Sequence, residues 1–387
     1  MKIALVREQE KIGIWELSLY NHLEKHGVQT TLIFPKNKKN DSIKISYPKK
    51  ELISLGNFNK IPILSTFLQY RYGLNGWMFG FNKIAKEYDI LSPVEISSVA
   101  SYQSVKTGIP TVVKVWENIP YNWVLFPYSE RIRKVGNPKY SNFVVKNASL
   151  FLPISERSKD ALLIHGVDEN KIKIVPEPVD TDLFKPLKVD KSSFRKKHRI
   201  KEHDKILLYV GRLSWEKGLN DLLFTMKSLS KVRDDVKLIM IGDGPLRNQV
   251  DEAIDVLGIK KYVVRINGVD FFKLPEYYNQ ADIFVLPSIP LIRIAEQFGK
   301  VLTEAMACGV PVVSTYCGGI SEVVEHGKVG LLVPSADRLR FREAVLKLLD
   351  DESLREDMGK KAREYTVNKF GVDVVIKKLV DAYKSVL

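Results

Sequence analysis

The stretch Ile206-Leu207-Leu208-Tyr209-Val210-Gly211-Arg212-Leu213-Ser214-Trp215-Glu216-Lys217-Gly218 sets the reading of the chain. Its short apolar run is too brief for an ordinary helix and reads as a strand buried on both faces. The run stops at Gly211, where the missing Cβ lets a ligand approach the backbone. Arg212 and Lys217 follow, five residues apart, at the start of a helical stretch. A guanidinium fork, an ammonium and the N–H groups of a helix start together suit a diphosphate. Taken alone, the stretch reads more simply as a surface loop with two solvated cations.

The same strand-then-helix pattern runs almost end to end, which predicts βαβ units around parallel sheets. Upstream, strands are expected at Lys2–Val6, Thr30–Phe34, Asp89–Leu91, Thr111–Val115 and Leu150–Ile154, with a helix over Ile12–His26 closed by Gly27. Downstream they are expected at Ile206–Val210, Val236–Ile241, Tyr262–Ile266, Ile283–Leu286, Val310–Ser314 and Leu331–Val333. Helices are expected near 218–232, 246–257, 299–308 and 336–349, then two more over 353–369 and 372–387. Pro176, Pro178 and Pro186 followed by the charge-dense Lys188–Lys205 mark a boundary. This gives an N-terminal Rossmann-like domain over 1–180, a linker over 181–204 and a second domain over 205–365. A terminal helix over 366–387 is expected to return to the first domain. Two doubly wound domains would bind ligand in the crevice between them, at the carboxyl ends of the strands.

A length of 387 residues suits two domains, and 45% hydrophobic with 27% charged residues excludes a disordered or fibrous chain. No run approaches the roughly 20 apolar residues of a membrane-spanning helix. The opening Met1–Val6 run is broken by Arg7 and Glu8, unlike a signal peptide. Cys308 and Cys317 lack a CxxC spacing and fit a reducing compartment, so the expected location is cytoplasmic. The formal charge is +14, and residues 1–150 hold 21 Lys and Arg against 11 Asp and Glu. Such a face attracts nucleic acid, phosphorylated small molecules or anionic lipid, although a lysine-rich solvated surface explains it as well.

The second informative stretch is Glu296-Gln297-Phe298-Gly299-Lys300-Val301-Leu302-Thr303-Glu304, continuing through Cys308-Gly309 to Val313. Glu296 falls in the loop before a helix opened by Gly299, and Glu304 falls inside that helix. A carboxylate accepts two adjacent O–H donors and so grips sugar hydroxyls. Backbone amides of Phe298, Gly299, Lys300, Val301 and Leu302 would meet phosphate. The bland alternative is an amphipathic helix with two solvated glutamates. Gly318-Gly319 offers a further close approach, though such a pair is a weak signal by itself. Residues 275–288 read as framework and Gly242–Pro245 as a turn.

These stretches resemble the donor domain of retaining GT-B glycosyltransferases of family 4, the glycosyl transferases group 1. The resemblance rests on Val210–Leu213 with Glu216-Lys217-Gly218, on Ala281–Ser288, on Glu296–Val313 and on Gly318–Glu322 leading to Gly330–Pro334, with Val179–Pro186 before them. It covers roughly 175–350, and the N-terminal half is similar only in outline. It implies a GT-B fold and transfer of a hexose from a UDP- or GDP-sugar with retention. Arg212 and Lys217 would bind the diphosphate, Glu296 the sugar and Glu304 the ribose. Gly211 and the amides of Phe298–Leu302 would complete the donor site, and no metal or other cofactor is expected.

Three departures stand out. Arg7–Lys11 replaces the usual glycine-rich loop after the first strand, leaving Gly13 to serve that role. Lys114-Val115-Trp116-Glu117-Asn118 stands where many relatives have a histidine, with Glu117 the candidate to replace it as a hydroxyl-orienting or basic group, and Glu177 stands where an asparagine is usual. The expected acceptor is a glycan or lipid-linked hydroxyl in envelope polysaccharide or glycolipid synthesis. Tyr70-Arg71-Tyr72, Trp77, Phe79, Phe81 and Lys83, with Arg131, Arg133, Lys134 and Lys139, offer a contact for an anionic membrane; core aromatics beside solvated lysines explain them equally. Nucleic acid is not an expected partner, because the densest constellation holds paired glutamates.

Overall fold

The computed structural model describes residues 1–8, 14–36, 45–58, 76–119, 138–292 and 294–387. Gly13, Tyr70, Arg71, Tyr72, Arg131, Arg133 and Lys134 lie outside the described residues. The chain forms two compact units, Met1–Pro178 with Val372–Leu387, and Val179–Gly371.

In the first unit β1 (Lys2–Val6), β2 (Gln29–Pro35), β3 (Lys49–Leu52) and β4 (Ile90–Ser92) form a parallel sheet in the order 3-2-1-4. Single parallel bridges, Leu91 to Thr111 and Val94 to Lys114, lead on to the parallel pair β5 (Val112–Val115) and β6 (Leu150–Pro153). The order 3-2-1-4-5-6 is that of a dinucleotide-binding sheet. Strand β3 escaped sequence reading because Lys49-Lys50-Glu51-Leu52 buries only Leu52 and sits at the sheet edge. The expected helix over 12–26 is instead a short α-turn, Ile14–Leu17, continued by a 3-10 helix, Ser18–His26. It ends at Gly27, whose φ of 71° is the left-handed cap the sequence asks for.

Alternation along β1 decides the two faces of this sheet. Ile3 and Leu5 join Leu23, Leu32 and Phe34 on one side, and Ala4 and Val6 join Ile33, Met78 and Phe81 on the other. The final helix, Val372–Lys384, closes the first of these cores with Val375, Ile376, Leu379 and Tyr383. The chain enters this unit at Val372, six residues later than position 366.

The second unit is a six-stranded parallel sheet of β7 (Lys205–Val210), β8 (Val236–Ile241), β9 (Val263–Ile266), β10 (Ile283–Leu286), β11 (Val312–Thr315) and β12 (Gly330–Val333). Its order, β12-β11-β10-β7-β8-β9, repeats the first unit's topology without similar sequence. Direction of winding reverses between β7 and β10, so the binding crevice of such a sheet opens at their carboxyl ends. The segment 181–204 is no free linker. Phe184 is buried against Phe271 and Tyr278, with ring centroids 5.4 and 5.8 Å away. Arg363 donates to the Phe184 and Thr181 carbonyls at 2.7 and 3.1 Å, and Lys191–His198 is a helix capped by Asp190. One aromatic anchor outweighs a polar composition. Among the described residues no helix is long and apolar enough to cross a membrane.

Two of the departures from the family pattern turn out to be partners. Lys114 at the end of β5 sets its ammonium 2.6 Å from Glu177, and the Trp116 indole N–H donates to the same carboxylate oxygen at 2.6 Å. Burial opposes the Lys114 charge, yet Glu177 and the neighbouring Tyr20 and Glu16 more than offset it, so its pKa rises. Arg7, the residue in place of a glycine loop, is buried with Glu16 at 2.6 Å and donates to the Ser92 carbonyl at 3.0 Å. Removing one partner of such a pair leaves a buried charge uncompensated, at about 3–5 kcal/mol. Lys114→Ala should therefore lower the urea midpoint by that equivalent, and Lys114→Met with Glu177→Leu should recover part of the loss. A Lys114→Ala chain that melts like the parent would show that the pair is not a structural element.

Candidate active site

In the second unit the loop after β7 begins at Gly211 and is built into its neighbours before it reaches solvent. Leu213 N–H donates to the Asp243 carbonyl at 3.0 Å, and Tyr209 O–H donates to the Arg212 carbonyl at 2.8 Å. A Cβ at Gly242 would stand 1.9 Å from the Gly211 carbonyl oxygen, so the β7 and β8 loops touch backbone to backbone. Gly218 has a φ of 65°, and a Cβ there would stand 1.8 Å from the Pro287 oxygen. With Ile289 N–H donating to the Glu216 carbonyl at 2.9 Å, this contact fixes the β7 loop against the β10 loop.

That contact brings Lys217 and Glu296, 79 positions apart, to 2.7 Å. Both are mostly shielded, with side chains 18% and 13% exposed. Ser288, at the foot of β10, donates from Oγ to the same Glu296 oxygen at 3.1 Å. Gly318 and Gly319 hold the far side of this loop. Cβ atoms there would stand 2.0 Å from the Glu296 main-chain carbonyl oxygen and 2.3 Å from that of Gln297, and Gly319 N–H donates to the Glu296 carbonyl at 2.8 Å. The Gly-Gly pair therefore seats the glutamate loop by close backbone contact.

Arg212 lies on the same β7 loop and reaches outward, 62% exposed. Its guanidinium is held at 2.7 Å by Glu216, which also accepts from Ser214 at 2.6 Å. Burial works against the Glu216 charge, but the bonds from Ser214 and Arg212 outweigh it and hold the carboxyl below its ordinary range. The helix Lys300–Ala307 starts at Gly299, whose φ is 88°, and no side chain caps that start. Phe298 is buried edge-on to Phe370 at 5.5 Å. Leu302 differs from expectation: its N–H already donates to the Gly299 carbonyl at 2.8 Å, so this amide is spent within the first turn.

Glu304 also sits differently from an open receptor. It is 4% exposed and accepts from Tyr278 O–H at 2.8 Å. Burial pushes its carboxyl up to about 7, against the pull of Lys300 and of the Tyr278 bond. The structure thus joins Lys217 to Glu296, keeps Arg212 on the loop of Lys217, and places Glu304 with Tyr278 in the interior. Ser288 and Tyr278 were read as framework in the sequence. A serine two residues past a buried strand was the available signal for the first, whereas Tyr278 is recognisable only from its contact. In the first unit, the loop after β4 holds Glu95 at a left-handed φ of 62°. Its Oε1 accepts from the Trp116 and Glu117 amides at 2.9 and 3.2 Å, and burial pushes the carboxyl up to about 8. Glu117 accepts from the amides of Asn118 and Ile119 at 3.0 and 2.9 Å. No group of three or more metal-ligating side chains occurs among the described residues.

A family model described as Glycosyltransferase Family 4 matches residues 17–183, and one described as Glycosyl transferases group 1 matches residues 190–365. The chain belongs to this glycosyltransferase family. It is 30% identical over 226 residues to an uncharacterized glycosyltransferase of Methanocaldococcus jannaschii, covering 57% of this chain and 56% of that protein. It is 31% identical over 212 residues to a GDP-mannose-dependent alpha-(1-6)-phosphatidylinositol monomannoside mannosyltransferase of Mycobacterium tuberculosis, covering 54% and 55%. The matches span about half the length of these curated relatives. The crystal structure of Anabaena HepE in complex with UDP superposes with a TM-score of 0.76 at 19% identity, covering all of both chains. That likeness establishes the GT-B fold with two Rossmann-like domains.

The raised Glu304 carboxyl has a consequence for stability. Its folded pKa lies above the unfolded value, so its stabilising contribution is complete below about pH 4.5 and is lost as pH rises through about 7. Urea midpoints between pH 5 and 8 should fall less steeply for Glu304→Gln than for the parent. Parallel pH profiles would show that Glu304 ionises normally.

Proposed function

We propose that this chain transfers a hexose-type sugar from a nucleotide diphosphate sugar to an acceptor hydroxyl, with retention at the anomeric carbon. The observation that carries the reading is the Lys217–Glu296 contact at the winding reversal of a GT-B sheet, with Arg212 on the same loop. A diphosphate entering there meets an ammonium and a guanidinium, which supply the charge that a divalent ion provides in other transferases. On this reading no metal is required.

Glu296 is already oriented by Lys217 and Ser288, so it is prepared to accept hydroxyl protons from the donor sugar without reorganising. Glu304 receives the ribose after exchanging part of its bond to Tyr278. In the reaction the bond from the anomeric carbon to the diphosphate oxygen breaks as the acceptor oxygen bonds to the same face. The acceptor proton passes to the departing diphosphate, whose growing negative charge Arg212 and Lys217 stabilise. UDP- and GDP-sugars are the donors to test first, since HepE was solved with UDP and the mycobacterial relative is named for GDP-mannose. The acceptor is a glycan or lipid-linked compound of envelope synthesis, and the cation-rich first unit suits an approach to anionic membrane from the cytoplasmic side.

Thermal unfolding against a panel of UDP-, GDP- and ADP-sugars should give an upward shift with one nucleoside class. Arg212→Ala and Lys217→Ala should each lower turnover by about 10²–10³; the exposed Arg212 should leave the melting temperature nearly unchanged, whereas Lys217→Ala, which strands the shielded Glu296, should lower it as well. Transfer at the parental rate by either variant would refute the assignment.

A further inference from the structure

The two sheets share one topology, and each follows its winding reversal with an eight-residue helix. In the second unit this is Lys300–Ala307, after β10 beside β7; in the first it is Val99–Lys106, after β4 beside β1. Lys300–Ala307 starts without a side-chain cap, and the loop after β7 brings Arg212 and Lys217 to that end of the sheet. Val99–Lys106 is closed instead by the loop after β1. One carboxylate oxygen of Glu8 accepts from the Val99 and Ala100 amides at 2.7 and 3.2 Å. Ser98 Oγ takes the Ser101 amide at 3.0 Å, and Tyr102 N–H donates to the Ser98 carbonyl at 3.1 Å. All four donors of the first turn are thereby spent. The cation of the same loop, Arg7, faces inward to Glu16. A Cβ on Gly76 would stand 2.9 Å from the Glu8 Cβ, so main chain lies directly against the Glu8 side chain.

A helix start at a winding reversal is an anion position, and in the first unit the chain's own carboxylate already sits in it. Burial raises the Glu8 carboxyl and the two amides pull it back, but ionised or not its oxygen keeps both donors. The loops after β4 and β5 repeat the arrangement. Glu95 rests on the amides of Trp116 and Glu117, and Glu117 on those of Asn118 and Ile119. We propose that Glu8 sets acceptor specificity: it fills the place a phosphate would take, so the acceptor enters the first unit as a hydroxyl donor without a phosphate group. This rests on the reading of the protein as a transferase whose second unit holds the donor. A phosphorylated acceptor finds no spare amide in that first turn and must displace a seated carboxylate. A neutral polyol meets carboxylates that accept its O–H groups.

Inorganic phosphate is the probe, titrated against the full chain at an ionic strength matched with chloride and followed by melting temperature. Phosphate held in the donor site acts alike in parent and variant, so the difference between them reads the seat of Glu8. Glu8→Ala frees the Val99 and Ala100 amides and should bind phosphate about tenfold more tightly than the parent. Glu8→Gln, whose side-chain carbonyl still takes both amides, should match the parent. A cooperative melting transition like the parent's shows that the variants fold. In transfer assays with sugars and their monophosphates as acceptors, the parent should favour the neutral sugars, and Glu8→Ala should raise the relative use of monophosphates about tenfold. No gain in phosphate binding by folded Glu8→Ala overturns the inference, and so does a parent that prefers monophosphates. A gain in phosphate binding by Glu8→Ala, beside a parent that shows no shift with any sugar nucleotide, would sink the transferase reading and leave Glu8 as the occupant of an anion seat.

Discussion

The second unit depends on backbone touching backbone at the carboxyl end of its sheet. Gly218 lies on Pro287, Gly242 on Gly211, and Gly318-Gly319 on Glu296-Gln297, each at a separation that admits no Cβ. These contacts replace side-chain packing with the closest approach two chains allow, and they leave the loops little freedom. A cation and a carboxylate from strands on either side of the winding reversal are thereby fixed in contact. Flexible loops would not hold that pair in one geometry.

Electrostatics in the two units follow different logics. Around Lys217 the charges are mostly shielded but keep an edge open to water, 18% for Lys217 and 13% for Glu296. In the first unit, Arg7 with Glu16 and Lys114 with Glu177 are buried pairs whose cost is met only by mutual neutralisation and further hydrogen bonds. Trp116 adds its indole N–H to Glu177, and its main-chain amide is held by Glu95. Arg7, Trp116 and Glu177, which differ from the family pattern, thus each join a buried pair, Arg7 with Glu16, and Glu177 with Lys114 under the Trp116 indole.

Strand positions were legible because a parallel strand buried on both faces must be a short apolar run, and β7 and β10 are such runs. Charged β3 broke that rule because an edge strand with one buried side chain needs no apolar run. The segment 181–204 misled for a similar reason: Phe184 anchors it, and one residue does not alter a composition. In the site, Arg212, Lys217 and Glu296 stood out in the sequence by residue type, and the fold brings Lys217 and Glu296 into contact. Ser288 and Tyr278 did not stand out, since a serine and a tyrosine acquire meaning only from what they touch.

The sequence by itself determined the strand and helix alternation, the family, and which charged residue types stand in the loops after β7 and β10. Those follow from local periodicity and from residue chemistry, which act over a few positions. Tertiary structure alone decided that Lys217 meets Glu296, that Glu304 turns inward to Tyr278, and that Lys114 answers Glu177. Such pairings join residues up to 79 positions apart, and their distances are set by how the strands are ordered and how closely the loops pack. No local pattern carries that information, because the energy of each contact exists only once the sheet has brought its members together.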